Sequence, residues 1–136
     1  THTHPQALAQ AQALWRSCGA SVHSMSAQAH DQVFAAVSHL PHLLAFAYMN
    51  ALSDEQALAL AGPGFRDFTR IAASSPALWR DVFVANREAL LGELAHFESA
   101  LAQLKALVHD ANATGLHDSI SHASARRAAW QLKATD

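Results

Sequence analysis

Residues 27–52 constrain the fold more than any other stretch, because they read as one long helix with Ser38, His39, Leu40, Pro41 and His42 set in its middle. At 1.5 Å per residue such a rod runs about 39 Å. On a 3.6-residue period Asp31, Ala35, Ser38 and His42 fall within a narrow arc, while Val33, Phe34, Val37, Leu40 and Leu44 cover most of the remaining circumference. The pattern predicts a buried helix with one polar stripe. A carboxylate, a hydroxyl and an imidazole left unpartnered in an interior are costly, so the stripe must meet water, a ligand or matched groups. Pro41 adds a second constraint. It has no N–H for the carbonyl of Val37 and its ring crowds that group, at a cost of about 3 kcal/mol inside a regular helix. A kink is expected there, with Ser38 and His42 beside a freed carbonyl. A bent core helix with a satisfied imidazole would explain His42 alone, but not the whole stripe.

The remainder of the chain suits an all-α fold. Alanine and leucine are abundant while glycine and β-branched residues are sparse, and at 136 residues one domain with one core is the default. Half the residues are apolar and 15% are charged, which excludes a disordered chain. A formal net charge of −2, with the arginines dispersed, argues against nucleic acid as a partner. Cys18 is the single cysteine, so no internal disulfide can form and a reducing compartment is expected. No apolar run reads as a membrane span, and residues 1–5 do not begin a signal peptide. The cytoplasm is the expected location. Seven of the ten histidines, His2, His4, His23, His96, His109, His117 and His122, are scattered at positions expected to be exposed; only His30, His39 and His42 lie together.

Along the chain, Pro5 suits a first helical position, residues 7–18 carry Leu8, Leu14 and Trp15, and Gly19 reads as a helix stop. Residues 20–25 alternate apolar and polar side chains and predict a short strand, which would need a sheet from another subunit or another part of the protein. Ser26 can cap the long rod. Ser53 with Gln56 suggests a capping box for a short helix, Gly62, Pro63 and Gly64 break the chain, and a helix follows over residues 65–73. Ser75 and Pro76 open the next helix. Leu90, Leu94, Phe97, Leu101, Leu104 and Val108 then form a heptad seam that suits an intramolecular bundle or a subunit interface equally. A last helix, including Ile120 and Trp130, is expected to end near Lys133.

Several chemistries can be weighed from the residues. Arg66 and Arg70 lie one helical turn apart and could hold carboxylates by paired hydrogen bonds, although from these residues alone a surface pair of Asp67 with Arg70 is the favoured reading. Gly62 and Gly64 do not make a phosphate-binding loop: no strand precedes them, a third glycine is missing and Pro63 lacks a donor. His39, His42 and Asp31 form too small a set for a helical metal site. Ser38 stands four residues from His42, but without an oxyanion-hole turn it does not read as a nucleophile.

His30 and Asp31, then the run from Ser38 to His42, Gly64 to Ala72, Trp79 to Asp81, and Asn86 with Arg87 resemble the helical C-terminal domain of prephenate dehydrogenases, in order and spacing over residues 25–107. The resemblance implies oxidative decarboxylation of prephenate to 4-hydroxyphenylpyruvate with NAD or NADP in tyrosine biosynthesis, with arogenate as a related substrate. It implies a homodimer and a preceding dinucleotide-binding domain, of which residues 1–25 would be the last helix and strand, with residues 26–136 the dimerisation and substrate-binding domain. By motif match Arg70 resembles the arginine that binds a substrate carboxylate, and His42 and Ser38 resemble residues lining the pocket. Asp31, Arg66 and Asp67 resemble an ionic network near it, with His39 and Trp79 as neighbours. The proton-accepting histidine of that family belongs to the nucleotide-binding domain, so no catalytic residue, cofactor site or metal is expected in this chain. The family's run of three glycines is here Gly62, Pro63, Gly64. A stand-alone helical interaction module is the competing expectation.

Overall fold

Polar side chains at the helix starts take up backbone N–H groups that have no partner inside the helix, and prolines fill first-turn positions where no N–H is needed. The computed structural model describes residues 3–133 and is built of helices and their connections. In order these are α1 (Pro5–Ser17), α2 (Ala27–Phe34), a π turn (Ala35–His39), α3 (Leu40–Ala51), α4 (Glu55–Ala59), α5 (Pro63–Thr69), a 3-10 turn (Arg70–Ala73), α6 (Pro76–Ala85), α7 (Arg87–His109) and α8 (Ala113–Lys133). Ser26 Oγ accepts from the N–H of Ala29 at 3.1 Å, Ser75 Oγ from Leu78 at 3.5 Å, and Asn112 Oδ1 from Gly115 at 2.9 Å. Among the described residues no helix is long and apolar enough to cross a membrane. Of the scattered histidines His2 lies outside the described residues and the other six are exposed.

Four expectations change. Residues 20–25 are coil rather than strand, because alternation makes a strand only where a neighbour supplies the hydrogen-bond ladder, and no strand exists among the described residues. That coil is tied back to α1 by Gln12 Nε2 donating to Ser24 Oγ at 2.8 Å. Asp54, not Ser53, caps α4: its carboxylate takes the N–H of Gln56 at 2.8 Å and also suits the positive helix end. The helix over residues 65–73 tightens at Arg70 into the 3-10 turn. Finally, the rod does not bury its apolar flank within this chain. Ala35, placed on the polar stripe by simple periodicity, is fully buried, whereas Val33, Phe34 and Val37 are exposed. The π turn shifts the register of the residues that follow Ala35, so a uniform 3.6-residue wheel misplaces Val37, whereas Val33 and Phe34 precede the turn and are exposed because nothing among the described residues covers them.

The interior is small and sits where the rod meets α7. Its buried apolar residues are Ala35, Leu40, Ala45 and Leu90, and α7 packs on α2, the π turn, α3 and α6. Along the heptad seam the buried end gives way to an exposed one: Leu90 is buried, Leu94 and Phe97 are half-buried, and Leu101, Leu104 and Val108 are exposed. There α8 folds back on α7 and, among the described residues, packs extensively on no other helix. The chain exposes 10972 Å², against about 6,900 Å² for a compact monomer of 14.6 kDa. Large apolar side chains left uncovered contribute to the difference, among them Trp15, Leu78, Ile120 and Trp130.

Helices α1 and α7 end alike but with different residues. Gly19 N–H reaches the carbonyl of Arg16 and Ala20 that of Trp15; Ala111 and Asn112 repeat the pattern on Val108 and Leu107. Both are left-handed caps, with Gly19 at φ 80° and Ala111 at φ 49°. Only glycine adopts that conformation without a penalty from its Cβ. Ala111→Gly is therefore expected to stabilise the chain by about 0.5–1 kcal/mol, seen as a higher thermal midpoint by circular dichroism, while Gly19→Ala lowers it. An unchanged midpoint in both variants would contradict this reading of the caps.

Candidate functional site

The site begins with the donor that Pro41 lacks. The rod widens here into a π turn: the N–H of Leu40 reaches back five residues to the carbonyl of Ala35, and Pro41 falls in the first turn of α3, where a missing N–H is tolerated. The widened turn sends two imidazoles toward one indole. His42 stacks on Trp79 of α6 with ring centroids 3.6 Å apart and planes at 21°, and His39 meets the same indole edge-on at 6.1 Å and 78°. Trp79 in turn packs on Phe83 at 5.4 Å, and Phe83 on Phe46 of α3 at 6.2 Å. This aromatic row fixes α6 against the rod.

Hydrogen bonds assign the imidazole protons. His42 Nδ1 lies 2.9 Å from the carbonyl oxygen of Ser38. A carbonyl only accepts, so Nδ1 carries the proton and Nε2 keeps a lone pair in the neutral ring. Ser38 thus meets His42 through its backbone. His39 Nδ1 lies 3.1 Å from Asn86 Nδ2, and the same amide nitrogen donates to the carbonyl of Asp31 at 2.8 Å. Burial holds the pKa of His39 below its ordinary value of 6.5, the positive charge of a protonated His30 adds to this, and Asp31 partly offsets it.

The charged residues are arranged more loosely. Arg70 is exposed and opens the 3-10 turn that packs on α3, the helix carrying His42; it forms no ion pair among the described residues. Asp31 pairs with His30 at 3.2 Å, and Arg66 approaches Asp67 at 3.9 Å, both pairs well exposed. Within one chain Asp31, Arg66 and Asp67 therefore stand in two separate local pairs. The structure brings together Ser38, His39, His42 and Trp79, and sets Arg70 on an adjoining element. Among the described residues no three His, Cys, Asp or Glu side chains gather as metal ligands.

Sequence reasoning gave Asn86 no site role. Its one signal was its place in a motif beside Arg87; its reach of 47 and 55 residues across the fold has no trace in local periodicity.

This assembly sets an acceptor nitrogen against an indole on a helical scaffold, with an arginine on the adjoining turn. The family model described as prephenate dehydrogenase, dimerization domain, matches residues 26–122, and the chain belongs to this family. It is 37% identical over 113 residues to the cyclohexadienyl dehydrogenase of Zymomonas mobilis, covering 79% of this chain and 39% of that protein. With the prephenate dehydrogenase of Bacillus subtilis it shares 32% over 119 residues, 84% of this chain and 32% of that protein. A crystal structure of the prephenate dehydrogenase from A. aeolicus in complex with hydroxyphenyl propionate and NAD+ superposes with a TM-score of 0.83 at 36% identity, covering 92% of this chain and 46% of that one. The arogenate dehydrogenase of Synechocystis gives a TM-score of 0.80 at 27% identity, over 94% and 49% of the two chains. The chain thus spans about two fifths or less of the length of these curated relatives.

The lowered pKa of His39 has a consequence for stability. A histidine whose pKa is lower folded than unfolded binds fewer protons in the native state, so its contribution is present above the ordinary value of 6.5 and is lost as pH falls through the folded pKa. Urea midpoints are expected to drop below pH 6.5, and to drop less in His39→Gln. Equal pH dependence in the two proteins would contradict the protonation state assigned to His39.

Proposed function

We propose that this chain supplies the substrate-binding wall and the dimer contact of a prephenate dehydrogenase, an oxidoreductase of aromatic amino acid biosynthesis. The reaction is the NAD- or NADP-linked oxidative decarboxylation of prephenate to 4-hydroxyphenylpyruvate, with arogenate as the related substrate. Family membership supports this reading, and the observation that carries it is the stack of His42 on Trp79 beside Ser38, with the Arg70 turn packed on the same helix. Prephenate is a dianion, and a guanidinium on an ordered turn is suited to one of its carboxylates. His42, with its lone pair at Nε2, orients the substrate by accepting a hydrogen bond, and Trp79, stacked on the imidazole, holds that ring in place. Asp31, Arg66 and Asp67 tune the charge around the entrance.

The described residues contain no strand-to-helix glycine turn to take a dinucleotide's phosphates. In this reading the nicotinamide cofactor, as hydride acceptor, binds a separate domain of the parent enzyme, to which α1 and the coil 20–25 belong. The exposed Leu8, Leu14 and Trp15 of α1 suit that assignment. A second copy of the chain covers the α7 seam and α8, and the cytoplasm is the site of action.

Titration calorimetry of the chain with prephenate tests the proposal. Weak saturable binding is expected, reduced about 10- to 100-fold in Arg70→Ala through loss of a charge-assisted pair, and reduced in His42→Ala. Absence of binding, or binding indifferent to both substitutions, would overturn the reading in favour of a helical interaction module without a substrate site.

A further inference from the structure

Asn86 occupies the junction of α6 and α7, and both helices hold its backbone. Its N–H donates to the carbonyl of Val82 at 3.0 Å, and its carbonyl accepts from the N–H of Leu90 at 3.0 Å. Leu90 is one of the buried core residues, so this junction is anchored in the interior. Its side chain then crosses to the rod, donating to the carbonyl of Asp31 at 2.8 Å and to Nδ1 of His39 at 3.1 Å. These are the only side-chain hydrogen bonds between the α6–α7 unit and the rod among the described residues.

The chemistry of the two partners fixes the roles. A backbone carbonyl only accepts, so the amide must turn its NH2 group toward Asp31. That group has two protons and two acceptors: the carbonyl takes one and the His39 ring nitrogen the other. Nδ1 of His39 must therefore hold a lone pair, which puts the ring proton on Nε2. His42 is in the opposite state, with its proton on Nδ1 facing the carbonyl of Ser38. Two histidines three residues apart thus carry opposite tautomers, and both lean on Trp79.

We propose that Asn86 is a positioning residue for the substrate pocket: by holding His39 as the Nε2–H tautomer against the edge of Trp79, it fixes the indole plane on which His42 is stacked. The role rests on the pocket assigned above, since Asn86 would act on substrate only through His39, Trp79 and His42. Without the amide donors, the His39 ring is free to move its proton to Nδ1 or to turn, and the edge contact that braces Trp79 is lost. A carboxylate in place of the amide inverts the preference. It would repel the carbonyl of Asp31 and accept a hydrogen bond from a protonated Nδ1, so Asn86→Asp is a change of one functional group with nearly constant shape.

Nitrogen-15 NMR of the histidine-labelled chain at neutral pH tests this, because protonated and unprotonated ring nitrogens resonate far apart. In the unaltered chain His39 is expected to show an unprotonated Nδ1 and His42 a protonated one. Asn86→Asp is expected to move the His39 proton to Nδ1 and to reduce the ring-current shift that Trp79 imposes on the His42 ring protons, with helical content unchanged by circular dichroism. A protonated Nδ1 on His39 in the unaltered chain would overturn the proposal whether or not the variant folds. So would a folded Asn86→Asp chain with the His42 ring-current shift intact. None of these readouts needs substrate. Correct tautomers in a chain that fails to bind prephenate would count against the pocket reading and leave the positioning of His42 in place.

Discussion

Close approach of the rod to α7 is the constraint on which the rest of this fold depends. It is achieved with very little side chain: Ala35 and Ala45 have no exposed surface, and Leu40 and Leu90 complete the buried set. A methyl group at Ala35 leaves the π turn near the backbone of its neighbours, and α7 packs directly on that turn. The proline donor deficit and the helix contact are thus resolved at one place. Widening the helix before Pro41 relieves the crowded carbonyl of Val37 and sets the register in which His39 and His42 face α6.

The site follows from that register. His42 is held from below by the carbonyl of Ser38 and from the side by the indole of Trp79; His39 is held by the amide of Asn86. Each ring has its proton assigned by a neighbour that can play only one part, a carbonyl or an amide NH2 group. Such groups need little reorganisation when a ligand arrives, which is what a binding wall requires. The arginine is different in kind. Arg70 is exposed on a short turn and carries no partner acid among the described residues, so its charge is available to an incoming carboxylate.

Much of this was legible from the sequence, for identifiable reasons. Helix starts at Ser26 and Ser75 and the helix stop at Gly19 follow from local chemistry, and the structure has them where that chemistry puts them. Pro41 announced a disturbance in the rod, but not that it takes the form of a π turn, because the local sequence does not specify how the lost hydrogen bond is accommodated. Packing of α7 on that turn, which a helical wheel does not contain, puts Ala35 of the expected polar stripe in the core. The strand expected over residues 20–25 failed because alternation specifies a strand only together with a partner. Asn86 escaped notice because its contacts span the fold, whereas the clustering of Ser38, His39 and His42 is local and was visible at once.

The outer surface completes the picture. Burial along the α7 seam fades from Leu90 to Val108, and α8 presents Ile120 and Trp130 outward, so the far end of the helical pair lacks a cover that its side chains call for. In the proposed enzyme that cover is a second copy of the chain, which closes the apolar surface a lone copy cannot bury. Sedimentation equilibrium of the chain at micromolar concentration measures this directly. A mass near twice 14.6 kDa, falling toward the single-chain value when Leu101 and Ile120 are both replaced by Asp, is the expected result. A fully helical chain that sediments at 14.6 kDa over the whole concentration range would contradict it.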